Sequence, residues 1–198
     1  MIFTNARVIF PDAIRADLAV TVRAGKIVEI GAPVAGSNDI LDLRGNFLAP
    51  GFIDLHVHGG GGAYIMDGAA ATAEVARLHA RHGTTSLLAT TVTAPLPALA
   101  ALLPVLDSVR LRRPAGGARI LGVHLEGPYI NPGRLGAQPP HARTGQVAEL
   151  RQLIALAKRT QFLTAQRKVA GWERKLQRMQ EKRARFEQTS RSAALVSA

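Results

Sequence analysis

GVHLEGP, residues 122–128, is the stretch of sequence on which the fold prediction rests. The apolar, β-branched run at residues 120–125 predicts a buried strand, and Gly127-Pro128 ends it sharply. Side chains two apart in a strand share a face, so His124 and Glu126 point the same way at its C-terminal end. A converging imidazole and carboxylate are the groups of a metal site or an acid–base site. On this stretch alone, a turn-capping Glu126 beside a core His124 is an equally good interpretation.

A second stretch, PGFIDLHVH at residues 50–58, predicts another strand that runs directly into the four glycines at 59–62. Asp54, His56 and His58 share one face of this strand, because they are two residues apart. The other face is apolar and carries Ile53, Leu55 and Val57. Two neutral imidazoles at i and i+2 can chelate one divalent ion, and glycines let substrate approach the backbone closely. The two strand ends together predict a metal site.

Here the sequence resembles a known family. Residues 50–58 resemble the first barrel strand of the amidohydrolase superfamily, which comprises metal-dependent hydrolases on a (β/α)8 barrel. HLEGP, followed by Asn131-Pro132 and by LGAQ at residues 135–138, resembles one branch, the N-acetylglucosamine-6-phosphate deacetylases. The resemblance covers residues 1–155, and it implies hydrolysis of an amino-sugar phosphate with a divalent metal, zinc or iron.

The resemblance also implies roles for individual residues. Glu126 matches a metal ligand of the family, and His56 and His58 match the H-x-H that holds a second metal in some members. Ala137 and Gln138 match a loop that lines the substrate, although many members have histidine at the second of these positions. By the same resemblance, His124 supports the site without binding metal.

The family's remaining site residues have no counterparts here. The family supplies two further histidine ligands and a catalytic aspartate downstream of Glu126, but His141 is the only later histidine and no aspartate follows. Asp54 shares the histidine face, yet the superfamily uses it for support and not as the base. We therefore found no catalytic base, and we expect this chain to be inactive, or nearly so, on its own.

The composition is that of an ordinary globular protein. The chain has 198 residues, of which 47% are hydrophobic and 20% charged, and it contains no cysteine. Disulfides and zinc–thiolate sites are therefore excluded, and a reducing, cytoplasmic location is expected. The N-terminus has no signal-peptide pattern. The uncharged run between His82 and Asp107 is interrupted by three prolines, so no membrane span is predicted.

The net charge of +11 is unevenly distributed. Residues 1–150 contain 13 Lys/Arg and 11 Asp/Glu, a balance of +2, whereas residues 151–198 contain 12 and 3, a balance of +9. The basic character thus belongs to the C-terminal segment and not to the part that carries the motifs. With little aromatic interleaving, that segment does not indicate a nucleic-acid partner.

Three domains are predicted. Residues 1–48 form a β unit, half of a small sandwich with an open edge. Residues 49–160 form an α/β part, an incomplete TIM-like barrel of the first three βα units. Residues 161–198 form a basic helical tail. The predicted strands are 2–9, 18–22, 26–30, 39–48, 84–93 and the two motif strands, and the predicted helices are 97–110 and 146–158.

A further helix follows the glycine run. Thr72 or Asp67 can cap it, and Gly83 ends it. Its predicted face carries Val75, Leu78, His79 and His82. The two histidines are one turn apart and could bind a metal, but at a helix end a structural role is the better interpretation.

The tail permits three interpretations. Its heptad seam consists of Phe162, Ala165, Val169, Trp172, Leu176, Met179, Arg183 and Phe186. It could be a helix that folds back over exposed barrel strands, a self-associating or acid-seeking helix, or an unrelated sequence appended by a frameshift or gene fusion. For the origin of the tail, we favour the last of these.

Two functions from different classes remain open. The first is an N-acetylglucosamine-6-phosphate deacetylase represented by its N-terminal portion, from a family that tends to form homo-oligomers. The alternative is a non-catalytic interaction protein in which a barrel fragment is joined to a basic, partner-binding helix.

Overall fold

The computed structural model describes residues 1–32 and 39–156. The chain divides into two compact units, Met1–Gly51 and a second that begins at Phe52. The predicted tail at 161–198, with its heptad seam, lies outside the described residues.

The first unit is a five-stranded sheet in the order β3-β2-β1-β4, with β5 also paired to β1. Its strands are β1 Ile2–Ile9, β2 Ile14–Arg23, β3 Lys26–Gly31, β4 Ile40–Asp42 and β5 Phe47–Leu48. Strands β1, β2 and β3 pair antiparallel, whereas β4 and β5 run parallel to β1. The hairpin between β2 and β3 turns at Ala24 and Gly25, both at positive φ.

One predicted strand of this unit is wrong in length. Residues 39–48 form two short strands, β4 and β5, and not one continuous strand. Arg44 and Gly45 between them adopt positive φ values of 53° and 78°, which turns the chain out of the sheet. The core of the unit is small, with Ala6, Val8 and Val20 at its centre.

The second unit is α/β and contains a parallel three-stranded sheet in the order β10-β9-β6. Its strands are β6 Phe52–Val57, the glycine hairpin of β7 Gly59–Gly60 and β8 Ala63–Tyr64, β9 Thr84–Thr90 and β10 Arg119–His124. Its helices are α1 Ala69–Arg81, α2 Leu96–Arg112 and α3 Val147–Leu156. The predicted βαβαβ order is thus observed, and the strands described do not close into a barrel.

Helix α2 supplies much of the core. Its leucine face is buried at Leu99, Leu102, Leu103 and Leu106, and Pro97 lies in the first turn, a position that tolerates proline. No helix in the described ranges is long and apolar enough to cross a membrane.

The predicted cap of helix α1 is wrong. Its N-cap is Gly68, which makes no side-chain cap bond, and Thr72 lies within the helix. The Thr72 hydroxyl instead donates to the Gly68 carbonyl at 2.7 Å, which holds this fully buried side chain without a capping role.

Strand β6 is an edge of its sheet in the described residues. Its apolar face exists as predicted, but only Val57 is buried, while Ile53 and Leu55 are 63% and 61% exposed. No described helix covers this part of the strand. The alternation in the sequence therefore identifies the two faces without identifying what covers them.

Candidate metal centre

The three predicted ligands meet at the C-terminal ends of the parallel strands. His56 lies on β6, His58 follows that strand, and Glu126 follows β10, on the far side of β9. His56 Nε2 lies 3.2 Å, and His58 Nε2 3.0 Å, from Glu126 Oε2. The two Nε2 atoms are 3.0 Å apart. Residues separated by 68 to 70 positions thus form one compact triangle of ligand atoms.

This triangle fits a divalent metal. Ligand atoms about 2.0–2.1 Å from one ion lie roughly 3.0–3.4 Å from each other, which is the spacing seen here. Glu126 Oε2 is buried and accepts no hydrogen bond within the described part of the chain, although both imidazole nitrogens are close to it. A buried carboxylate oxygen without a hydrogen bond is costly unless a cation compensates it.

The backbone determines which nitrogen of His58 faces the triangle. His58 Nδ1 lies 3.2 Å from the Thr90 carbonyl oxygen, which can only accept a hydrogen bond. In the tautomer that leaves the Nε2 lone pair free for a metal, Nδ1 carries the proton and donates it to the Thr90 carbonyl. This arrangement is typical of histidines that bind metals.

The neighbouring residues support the triangle. Asp54 Oδ1 accepts a hydrogen bond of 3.0 Å from the backbone N–H of His56, which agrees with the supporting role expected for it. The ring of His124 packs edge-to-face on that of His56, with centroids 5.0 Å apart. His124 lies outside the three-residue cluster of possible metal ligands.

A group of buried threonines at the end of β9 was not predicted from the sequence. Thr90, Thr91 and Thr93 are fully buried. The Thr91 hydroxyl accepts a hydrogen bond from the backbone N–H of Glu126 at 3.2 Å. The run TTVT at residues 90–93 is the pattern that contains them, but β-branched residues of this kind predict only a strand.

The two predicted substrate residues lie on the loop after Glu126. Gln138 Oε1 accepts a short hydrogen bond of 2.7 Å from the backbone N–H of Thr93, and Ala137 is exposed. His79 and His141 are not part of the three-residue cluster. His79 Nε2 lies 3.3 Å from the Gly59 carbonyl, which fits its structural interpretation, and His141 is exposed.

Comparison with known proteins identifies the family of the chain. A profile of the amidohydrolase family matches residues 47–194, three-quarters of the chain. The chain belongs to the amidohydrolase family. The match includes most of the predicted tail, a segment in which we found no family motif.

The relatives of this amidohydrolase are sugar-phosphate deacetylases. The N-acetylgalactosamine-6-phosphate deacetylase of Escherichia coli O157:H7 is 46% identical over 123 residues, 61% of this chain and 32% of that protein. The N-acetylglucosamine-6-phosphate deacetylase of Bacillus subtilis is 40% identical over 107 residues, 52% of this chain and 27% of that protein. The chain thus spans about a third of the length of these curated relatives.

Solved structures agree with the sequence relatives. The N-acetyl-D-glucosamine-6-phosphate deacetylase of Mycobacterium smegmatis matches with a TM-score of 0.69 at 28% identity, over 81% of this chain and 45% of that one. The enzyme of Thermotoga maritima matches with a TM-score of 0.63 at 31% identity, over 77% of this chain and 39% of that one. The similarity to deacetylases that HLEGP and LGAQ indicate is confirmed over the N-terminal part of the chain.

A separate polar cluster anchors the loop of this amidohydrolase that follows Glu126. The Tyr129 hydroxyl donates to Glu149 Oε2 at 3.2 Å, and Arg143 forms an ion pair of 2.6 Å with Glu149 Oε1. The backbone N–H of Arg143 also donates to the Pro128 carbonyl at 2.9 Å. The two ends of the loop are thereby joined to each other and to α3.

The tyrosines are expected to ionise late. Burial, with the charge of Glu149 and the hydrogen bond to it, raises the pKa of Tyr129 to about 12. Burial, followed by the charges of Asp67 and Glu126, also raises the pKa of Tyr64 above 10.0. Absorbance titration of phenolate should show less than half ionisation of these two tyrosines at pH 10 in the folded chain, and about half in guanidinium. Because the folded state keeps the Tyr129 proton longer, its contribution to stability is present below pH 10 and declines between pH 10 and 12.

The variant Tyr129→Phe separates the titration of one tyrosine from that of the other. It should leave only the earlier, Tyr64 transition and should flatten the decline of stability above pH 10. Identical folded and unfolded titration curves for the wild-type chain would contradict the raised pKa values.

Proposed function

We propose that this amidohydrolase binds a divalent metal through His56, His58 and Glu126 and acts in the deacetylation of N-acetylglucosamine 6-phosphate to glucosamine 6-phosphate and acetate. The observation that carries the proposal is the triangle of ligand atoms around the buried Glu126 oxygen. The substrate class is supported by relatives named as deacetylases of 6-phosphorylated N-acetylamino sugars. A mutant of the Mycobacterium smegmatis enzyme was also solved in complex with N-acetyl-D-glucosamine 6-phosphate.

Two imidazoles and one carboxylate suit zinc or ferrous iron. Such an ion, when bound, lowers the pKa of a coordinated water and polarises an amide carbonyl. The chain's own residues orient the ligands. Thr90 holds the proton of His58 at Nδ1, Asp54 fixes the backbone of His56, and Thr91 fixes the backbone of Glu126.

On the substrate side, we assign Gln138 and Ala137 to the wall of the sugar site. Because the carbonyl oxygen of Gln138 accepts from Thr93, the end of its side chain that remains for a ligand is the NH2 group, a donor. A donor suits the hydroxyl, carbonyl or phosphate oxygens of an amino-sugar phosphate. The small side chain of Ala137 leaves space beside it.

The three parallel strands would be the first of a (β/α)8 barrel, and the N-terminal sheet would be part of a sandwich. The match to complete deacetylase structures supports this assignment. In such a barrel the C-terminal strand ends carry the site, where the triangle lies. Asp54 is engaged with the His56 backbone, and no aspartate follows Glu126. We therefore propose that the chain alone lacks the base for turnover.

Two measurements on the whole chain test this proposal. Titration with zinc, or with ferrous iron under anaerobic conditions, should show one tightly bound equivalent. Saturation-transfer NMR should show binding of N-acetylglucosamine 6-phosphate, with N-acetylgalactosamine 6-phosphate as the comparison sugar. Acetate release should stay near background. Failure to bind either metal would overturn the site, failure to bind either sugar would overturn the substrate class, and efficient acetate release would show that the chain contains a base.

A second function, as a non-catalytic interaction protein, is favoured by one observation. Strand β6 exposes Ile53 and Leu55 at more than 60% each, on the face opposite the one that carries Asp54 and His56. A self-associating chain should show a concentration-dependent mass by light scattering, and this association should persist in a variant that does not bind metal. A monomer that binds both metal and sugar phosphate would favour the enzymatic function.

A further inference from the structure

Thr90 is the last residue of β9, the strand between the two that carry the ligands. Its side chain is fully buried. The strand on one side leads to His56 and His58, and the strand on the other side leads to Glu126. Any group of Thr90 that bonds in both directions therefore connects the two halves of the triangle.

On the side of β6, the Thr90 hydroxyl supplies a hydrogen bond where the strand pairing is irregular. The pairing of β6 with β9 shifts register between Asp54 and Val57, so the ladder is interrupted beside the two histidines. At this point the backbone N–H of Val57 donates a hydrogen bond of 3.0 Å to the Thr90 hydroxyl. Val57 separates the two histidines, so this bond fixes the backbone from which both imidazoles project.

The Thr90 carbonyl acts on the second histidine. It lies 3.2 Å from Nδ1 of His58 and keeps the opposite nitrogen directed at Glu126. One residue thus sets both the position of the H-x-H backbone and the tautomer of one ring.

Towards β10, the Thr90 hydroxyl lies 3.5 Å from Nδ1 of His124, whose ring packs on His56. The hydroxyl also lies 3.4 Å from the Leu88 carbonyl. A hydroxyl has one proton and two lone pairs, so it can accept from Val57 and still bond to one of these neighbours.

We propose that Thr90 is a positioning residue that aligns the two histidines with Glu126 for metal binding, an inference that rests on the metal site of the proposed function. Thr90 is not one of the three residues of the ligand triangle. It acts through the Val57 backbone, through the His58 tautomer and through the packing of His124 on His56.

The test compares Thr90→Val, which keeps the shape and removes the hydroxyl, with Thr90→Ser, which keeps the hydroxyl. The matched control is Thr93→Val, because the Thr93 hydroxyl is also buried but has no hydrogen-bond partner among the described residues. Zinc affinity is measured by competition with a chromophoric chelator, after circular dichroism has established that each variant is folded. Thr90→Val should bind zinc about 10-fold or more weakly, as expected for loss of an outer-shell partner, whereas Thr90→Ser and Thr93→Val should stay close to wild type.

A second readout needs no metal. Long-range ¹H–¹⁵N NMR of the metal-free wild-type chain at pH 8 should show His58 with its proton on Nδ1, and Thr90→Val, which keeps the backbone carbonyl that Nδ1 faces, should show the same tautomer. The proposal is overturned by a wild-type His58 protonated on Nε2, by Thr90→Ser losing as much affinity as Thr90→Val, or by Thr90→Val binding zinc like wild type. If the wild-type chain binds no zinc, the proposed function fails, while the tautomer measurement still decides whether the Thr90 carbonyl sets the tautomer of His58.

Discussion

Replacing Glu126 with glutamine should reduce zinc or iron affinity by at least about 100-fold, more than expected for loss of an outer-shell partner. The change removes the negative charge and one of the three ligand atoms that lie within 3.2 Å of each other. The shape of the side chain is retained. The effect should therefore appear in metal binding, measured by chelator competition, and not in the fold.

The fold of the metal-free variant provides a second check. An amide NH2 at this position can donate to the imidazole nitrogens that surround it, so the Glu126→Gln chain should be no less stable than wild type in urea. Glu74→Gln is the control, because Glu74 is an exposed carboxylate whose ion pair among the described residues is with Arg77, one turn away on α1. Its metal affinity should match wild type, and a Glu126→Gln chain with unchanged affinity would remove Glu126 from the site.

Replacing Gly127 with alanine should lower the free energy of unfolding by about 2–5 kcal/mol, from a positive-φ backbone and from overpacking. Gly127 has φ +70°, and a Cβ there would lie 2.9 Å from the Thr93 Cα and still closer to its hydroxyl. Backbone atoms cannot move aside as a flexible side chain can. The backbone of the adjacent Glu126 would have to shift, so metal affinity should fall as well.

The control for this substitution is Gly116→Ala. Gly116 has a similar φ of +67°, but a Cβ there would meet no atom within 4 Å. Its cost should be limited to the backbone conformation, about 1–2 kcal/mol. The difference between the two urea denaturation midpoints isolates the contact with Thr93, and equal midpoints would show that the strand end relaxes to admit the methyl group.

Much of the second unit could be predicted from short-range patterns. The leucine spacing of α2, the glycine after α1 and the β-branched runs each carry a local signal, and the observed ends lie within a few residues of the predictions, as for α2 at Leu96–Arg112. The convergence of His56, His58 and Glu126 could be predicted because residues two apart share a strand face and parallel strands end at one edge. Their mutual distances, however, required the structure.

The failures have a common physical origin. The break between β4 and β5 depends on Arg44 at positive φ, a conformation that the residue type does not predict. The role of Thr90 depends on an irregular register between two strands, and the exposure of Ile53 depends on what covers β6. Each is decided by tertiary contacts, about which a local pattern says nothing.

The triangle joins β6 to β10, which are the two outer strands of their sheet and, within residues 1–32 and 39–156, pair only with β9. An ion bound by all three ligands would act as a cross-link between strands that have no ladder of their own. By mass action, a ligand at 100 times its dissociation constant stabilises the folded state by about 2.7 kcal/mol. For this chain, the metal content of a preparation would then determine its melting temperature and the protection of the β6 amides from hydrogen exchange, independently of any catalysis.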